Sequence, residues 1–114
     1  MKKLLSLALA MLCLALLLTG CAQARTLTGK AMGYGGELTV SVAMEGEKIS
    51  AVTVTRHGET PSFAAEALQI IPAAIVAKNA TDVDVVAGAT VTSRAIIAAV
   101  NNATDPEAHP FGGR

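Results

Sequence analysis

Residues 35–56 read GGELTVSVAMEGEKISAVTVTR, and this stretch decides the fold. Leu38, Val40, Val42 and Met44 alternate with Thr39, Ser41 and Ala43, the period of a half-buried strand. Gly35-Gly36 supplies a tight reversal before it, because glycine tolerates positive φ, and Glu45-Gly46-Glu47 marks a turn after it. Ile49 to Arg56 is rich in β-branched residues and reads as a further strand. Its alternation slips, since Ile49 is out of phase with Val52 and Val54; a bulge, or a strand starting after Ile49, accounts for that. Upstream, Thr26 to Tyr34 reads as the first of three strands, weakened by Gly29 and Gly33.

Beyond Arg56 the period changes. His57 to Pro61 breaks the strand pattern, and Phe63, Ala64, Ala67, Leu68 and Ile71 fall at helical spacing. Pro72 ends or kinks that helix, and Ala73 to Lys78 continues as a short second one. Thr81 to Val86 reads as extended, with apolar residues on alternate positions. After Gly88, Thr92 to Asn102 reads as helix, with Ala95, Ile96, Ala99, Val100 and Ala103 as its apolar stripe. Strands followed by helices predict an α+β domain: a small antiparallel sheet with helices packed on one face. The expected boundaries are a domain over 26–103 and a disordered tail over 104–114, where two prolines and a Gly-Gly pair gather.

The other end of the chain reads as a targeting segment. Lys2 and Lys3 precede an almost wholly apolar run from Leu4 to Leu18, the plan of a secretory signal. That run falls short of the ~20 apolar residues of a membrane-spanning helix. Leu18-Thr19-Gly20-Cys21 resembles the lipobox of bacterial lipoproteins, which implies cleavage after residue 20 and a lipid on Cys21. The expected divisions are a signal peptide over 1–20, a tether over 21–25, and a protein held at the outer face of the cell membrane by a lipid anchor, without spanning it. Cys13 leaves with the signal and Cys21 is consumed by lipid, so no thiol remains for a disulfide, a zinc site or a nucleophile. Loss of Lys2 and Lys3 leaves seven basic against nine acidic side chains, a net charge of −2. With no basic patch and 3% aromatic residues, nucleic acid is not an expected partner.

The chemistry gathers in Asp84-Val85-Val86-Ala87-Gly88-Ala89-Thr90, continued by Val91-Thr92-Ser93-Arg94. A glycine followed by a small residue lets backbone approach a phosphate closely. A helix starting just beyond directs free amides and a positive dipole end toward that phosphate. The segment resembles the signature of the FMN-binding domain family, which includes flavin subunits of Rnf and of the sodium-pumping NADH:quinone oxidoreductase as well as standalone surface lipoproteins. Gly33-Tyr34-Gly35-Gly36 and His57-Gly58-Glu59-Thr60-Pro61 look like upstream parts of the same family, so the resemblance spans roughly Thr26 to Ala103.

The resemblance implies FMN joined through its phosphate to Thr90 by a dedicated flavin transferase that reads Asp84, Gly88 and Ala89. Thr92 and Ser93 add hydroxyls nearby, and Glu59 and Thr60 match positions near the flavin. Two residues depart from the family pattern. Ala87 stands where serine or threonine is usual, and Ser62 where glycine often follows Glu-Thr-Pro. His57 and Tyr34 read more simply as an exposed loop histidine and a hairpin-edge tyrosine, and Phe63 as helix core.

Two histidines with no thiol give no metal-ligand spacing, and neither a dinucleotide fingerprint nor a P-loop is present. The expected function is an electron carrier between a membrane donor and an outside acceptor. A flavin-dependent reductase component and a flavin-free surface lipoprotein stand as its rivals.

Overall fold

A computed structural model describes residues 24–111, apart from the side chain of Phe63. The signal-like segment and Cys21 lie outside the described residues. Strands β1 (Ala24–Gly33), β2 (Gly36–Glu45) and β3 (Lys48–Arg56) form one antiparallel sheet in the order β1-β2-β3. Two helices follow, α1 (Pro61–Lys78) and α2 (Thr90–Thr104). The fold is α+β, as the sequence predicts. β1 starts two residues earlier than expected, so Ala24 and Arg25 are sheet residues paired with Glu45 and Met44, not tether. With ten residues at ~3.3 Å each, β1 runs ~33 Å from the β2–β3 turn end of the sheet to the hairpin at Tyr34-Gly35.

The alternation of β2 is realised fully: Leu38, Val40, Val42 and Met44 are buried, and Thr39, Ser41 and Ala43 face the other way. The phase slip at Ile49 is a bulge. Ala43 pairs with Ala51 and Met44 with Ile49, which leaves Ser50 between them and returns Ile49 to the buried face. A second irregularity leaves Thr55 between the pairs Thr39–Arg56 and Val40–Val54. The hydroxyls of Ser50 and Thr55 donate across to the carbonyls of Ala43 (3.0 Å) and Thr39 (3.3 Å), engaging backbone groups that the broken ladder leaves.

α1 packs on β3, while α2 packs across β1 and β2 and against α1. The stripe expected for α2 is its buried face: Ala95, Ile96, Ala99, Val100 and Ala103. These meet Ile71 and Ile75 of α1 over Leu38, Val40 and Val42. Pro72 neither ends nor splits α1, which is one helix of 18 residues with Pro72 inside it. Burial of Ile71, Pro72 and Ile75 together outweighs the local cost of the missing amide. α1 stops at Asn79, whose φ of 55° and amide bond to the Val76 carbonyl, with Ala80 N–H reaching Ile75, form a Schellman cap. Asn79 Oδ1 also accepts the Ile49 amide at 2.7 Å, tying the end of α1 to the start of β3.

Residues 81–86 form no strand; they are a connection whose Val83 and Val86 pack against the core. The tail also differs from the expected disorder. Thr104 closes α2, and residues 105–111 fold back in turns, with the His109 amide on the Asp105 carbonyl and the His109 carbonyl accepting from Asn102 Nδ2 at 2.7 Å.

Candidate functional site

The hairpin tip, the loop after β3 and the start of α2 converge at one end of the sheet around a cleft of about 610 Å³. Its walls are Tyr34, Thr60, Ala64, Gly88, Ala89, Thr90, Val91 and Thr92. That volume lies within the ~300–1,000 Å³ common to small-molecule sites.

The Thr90 side is built by a turn and a helix start. The Ala89 amide bonds the Val86 carbonyl at 3.0 Å, closing a turn with Gly88 at φ 83°. A side chain is strained at that angle, while a Cβ on Gly88 would meet nothing within 4 Å. The glycine is there for its backbone angle and leaves open space above the turn. α2 starts at Thr90, two residues before the expected start, so Thr90 is the first helical residue. Its N-cap is Ala89, with no side-chain cap. The first helical bond runs from the Ser93 amide to the Ala89 carbonyl, so the amides of Thr90, Val91 and Thr92 have no intrahelical acceptor.

Ser93 and Thr92, expected as hydroxyl donors to a phosphate, have partners within the protein. Ser93 is fully buried; its Oγ donates to the Ala89 carbonyl at 2.7 Å and accepts the Val86 amide at 3.0 Å, stapling the turn to the helix. Thr92 is buried and its hydroxyl donates to Glu59 Oε1 at 2.8 Å.

Glu59 lies behind the lining of the cleft, between the hairpin tip and α2. Only 5% exposed, its carboxylate accepts Thr92 Oγ1, the Tyr34 amide at 3.0 Å and the Gly35 amide. Gly35 is required here by close approach: a Cβ would lie 1.9 Å from the Gly58 carbonyl oxygen and 2.9 Å from Glu59 Oε2. Burial pushes the Glu59 pKa up, but the bonds from Gly35, Thr92 and Tyr34, with the charge of His57, together leave it below the ordinary carboxylate value. His57 Nδ1 accepts the Glu59 amide at 3.1 Å, and the ring lies toward the α1–β3 groove rather than the cleft.

Of the residues singled out from the sequence, Gly88, Ala89, Thr90, Thr92 and Thr60 line the cleft, and Glu59 holds its wall. Asp84 is exposed on the connection before the turn and does not line the cleft. Ala87 is exposed in the turn itself. Tyr34, read as a plain hairpin residue, is 80% exposed and forms part of the wall. Ala64 and Val91 also line the cleft. Val91 carried a usable signal, an apolar residue off the buried stripe of its helix.

These parts suit an FMN phosphate. Three amides without an intrahelical acceptor stand at an uncapped helix start, at the positive end of the helix dipole, and the residues that carry them line the cleft together with Thr60. Among the described residues no lysine or arginine lines the cleft, which leaves the helix start as its source of positive charge. The FMN-binding domain family matches residues 33–105, from the hairpin through α2. The chain belongs to the FMN-binding domain family.

Three relatives illustrate the reach of this family. The chain is 46% identical over 70 residues to an uncharacterized protein of Treponema pallidum, covering 61% of this chain and 19% of that one. It is 38% identical over 82 residues to a urocanate reductase of Eggerthella lenta, covering 72% and 14% respectively. An NADH:acrylate oxidoreductase of Vibrio harveyi is 35% identical over 78 residues, covering 68% and 8%. The chain therefore spans less than a fifth of the length of these curated relatives, and the likeness is to one module of each.

Proposed function

We propose that this FMN-binding domain is an extracytoplasmic electron carrier holding FMN as a phosphoester on Thr90, at a membrane surface to which a lipid on Cys21 anchors it. The observation that carries the reading is the position of Thr90: first residue of an uncapped helix, at the rim of the cleft, two residues after the open turn at Gly88. Thr90 Oγ is the oxygen that becomes the ester. A flavin transferase supplies the FMN phosphoryl group from FAD, AMP leaves, and the hydroxyl proton is lost. When bound, the FMN supplies the redox chemistry; the protein supplies position and electrostatics.

The helix amides of α2 neutralise phosphate charge in a cleft that no lysine or arginine lines among the described residues. Free FMN is dilute outside a cell. Occupancy of a non-covalent site falls once ligand drops below its dissociation constant. An ester removes that dependence. The membrane or surface redox partners on either side of the carrier belong to the same proposal.

The likeness to a urocanate reductase and to an NADH:acrylate oxidoreductase favours a second reading, in which the domain is the flavin module of a reductase acting on a small acceptor. Acceptor-dependent turnover by the isolated flavoprotein separates that reading from the carrier.

Coexpression with a flavin transferase tests the attachment. The protein should gain the mass of FMN less one water, on the tryptic peptide ending at Arg94. Thr90→Val keeps the shape, loses the hydroxyl and should fold normally but stay colourless. Covalent flavin on Thr90→Val would overturn the assignment. If the wild-type chain stays colourless with active transferase and FAD, Ala87→Ser tests whether the departure at Ala87 is the cause.

A further inference from the structure

The first turn of α2 has no cap of its own. Ala89 offers no side-chain acceptor, so nothing at the N-cap position holds Thr90 in place. Two side-chain links do that instead. On the loop side, Ser93 holds the Val86–Ala89 turn. On the hairpin side, the Thr92 hydroxyl is bonded to Glu59, whose carboxylate also accepts the consecutive amides of Tyr34 and Gly35. Glu59 thus touches both walls of the cleft from behind, and Gly35 is the residue that lets the hairpin come that close.

We propose that Glu59 is a positioning residue for Thr90: by bonding Thr92 and the hairpin tip at once, its carboxylate fixes the first turn of α2 so that the Thr90 hydroxyl is presented at the cleft rim for flavin attachment. This rests on the assignment of Thr90 as the attachment point. It assigns Glu59 a place behind the wall, in contrast to the direct flavin contact that the resemblance implies. A carboxylate is required because three donors converge on it. A glutamine in its place turns an amide N–H₂ toward one of them, and an aspartate is one methylene short.

The test is the initial rate at which purified transferase, with FAD, labels the full chain carrying Thr92→Val, Thr92→Ser or Glu59→Gln. Misplacing a reacting group by about 1 Å costs of the order of a hundredfold in rate. Thr92→Val removes only the hydroxyl and should lower kcat for labelling tenfold or more with little change in KM, while Thr92→Ser should stay near the wild type. Glu59→Gln should slow labelling similarly, and the double variant Glu59→Gln/Thr92→Val should be no slower than the worse single one.

Amide NMR spectra of the unlabelled proteins give a second readout that does not depend on flavin. Glu59→Gln should shift the Tyr34, Gly35 and Thr92 signals together, while leaving the dispersed spectrum of a folded chain. Equal labelling rates for Thr92→Val and Thr92→Ser would overturn the proposal, as would effects that multiply in the double variant. If the wild-type chain were labelled elsewhere than Thr90, the attachment reading would fall. The concerted amide shifts would then report only that the clamp exists.

Discussion

Replacing Ser93 with alanine separates a phosphate ligand from a structural staple. Ser93 is fully buried, and its hydroxyl both donates to the Ala89 carbonyl and accepts the Val86 amide. In Ser93→Ala the Val86 amide loses its partner in a part-buried place, which costs about 1–3 kcal/mol. The Ala89 carbonyl keeps the Ser93-position amide as a donor and suffers less. Alanine returns about 0.5 kcal/mol through its better helix propensity. The net loss is therefore about 1.5 kcal/mol. For a domain of this size each kcal/mol moves Tm by about 4–8 °C, so flavin-free Ser93→Ala should melt about 6–12 °C below the wild type. The assay is thermal unfolding of protein made without transferase, followed by circular dichroism. A phosphate donor without a structural role would leave that Tm unchanged, so a difference under about 2 °C would refute the staple.

The remaining expectations concern acid, the turn and the anchor. Because the folded pKa of Glu59 lies below its unfolded value near 4.5, its contribution to stability is present above that pH and is lost as pH falls through the folded pKa. Between neutrality and pH 3 the Tm gap between wild type and Glu59→Gln should therefore narrow; a constant gap would contradict the sign. Gly88→Ala places a side chain at φ 83° with no clash, so it should cost only backbone strain, about 1–2 kcal/mol, and Gly88→Asn less; chemical denaturation resolves both. Cys21→Ser should leave unprocessed or unanchored precursor, and wild-type protein recovered from culture fluid with an unmodified Cys21 would count against the lipid.

The sheet was legible in the sequence because its signal is periodic. The slip at Ile49 could be read as a bulge from phase alone, and the hydroxyl of Ser50 marks where the extra residue sits. The buried stripe of α2 was equally plain. Its start was not, since Ala89 is a poor N-cap by type and the serine and threonine that follow look like better ones. Pro72 misleads for a related reason: its local cost is visible in the sequence, whereas the burial of Ile71 and Ile75 that offsets it is tertiary. Residues 81–86 have strand-like composition but no strand to pair with, a matter of topology rather than pattern. The role of Ser93 was hidden because a hydroxyl near a helix start looks the same whether it serves a ligand or the backbone. Nothing local in Glu59 announces partners 24 and 33 residues away, in the β1–β2 turn and on α2.

The direction of β1 carries a consequence for geography. Ala24 sits at the end of the sheet where β2 turns into β3, and the cleft sits at the other end, beside Tyr34. Cys21 precedes Ala24 by three residues, a leash of ~10 Å at full extension. A chain lipidated at Cys21 and standing upright then holds its redox centre roughly one strand length, ~33 Å, above the bilayer surface. Under the anchored reading, a flavin at that height would correspond with domains and solutes of the aqueous phase. On that same reading, a donor buried in the lipid would reach the flavin only if the whole domain tipped onto its side, and electron transfer at the membrane would turn on how freely the anchored domain leans.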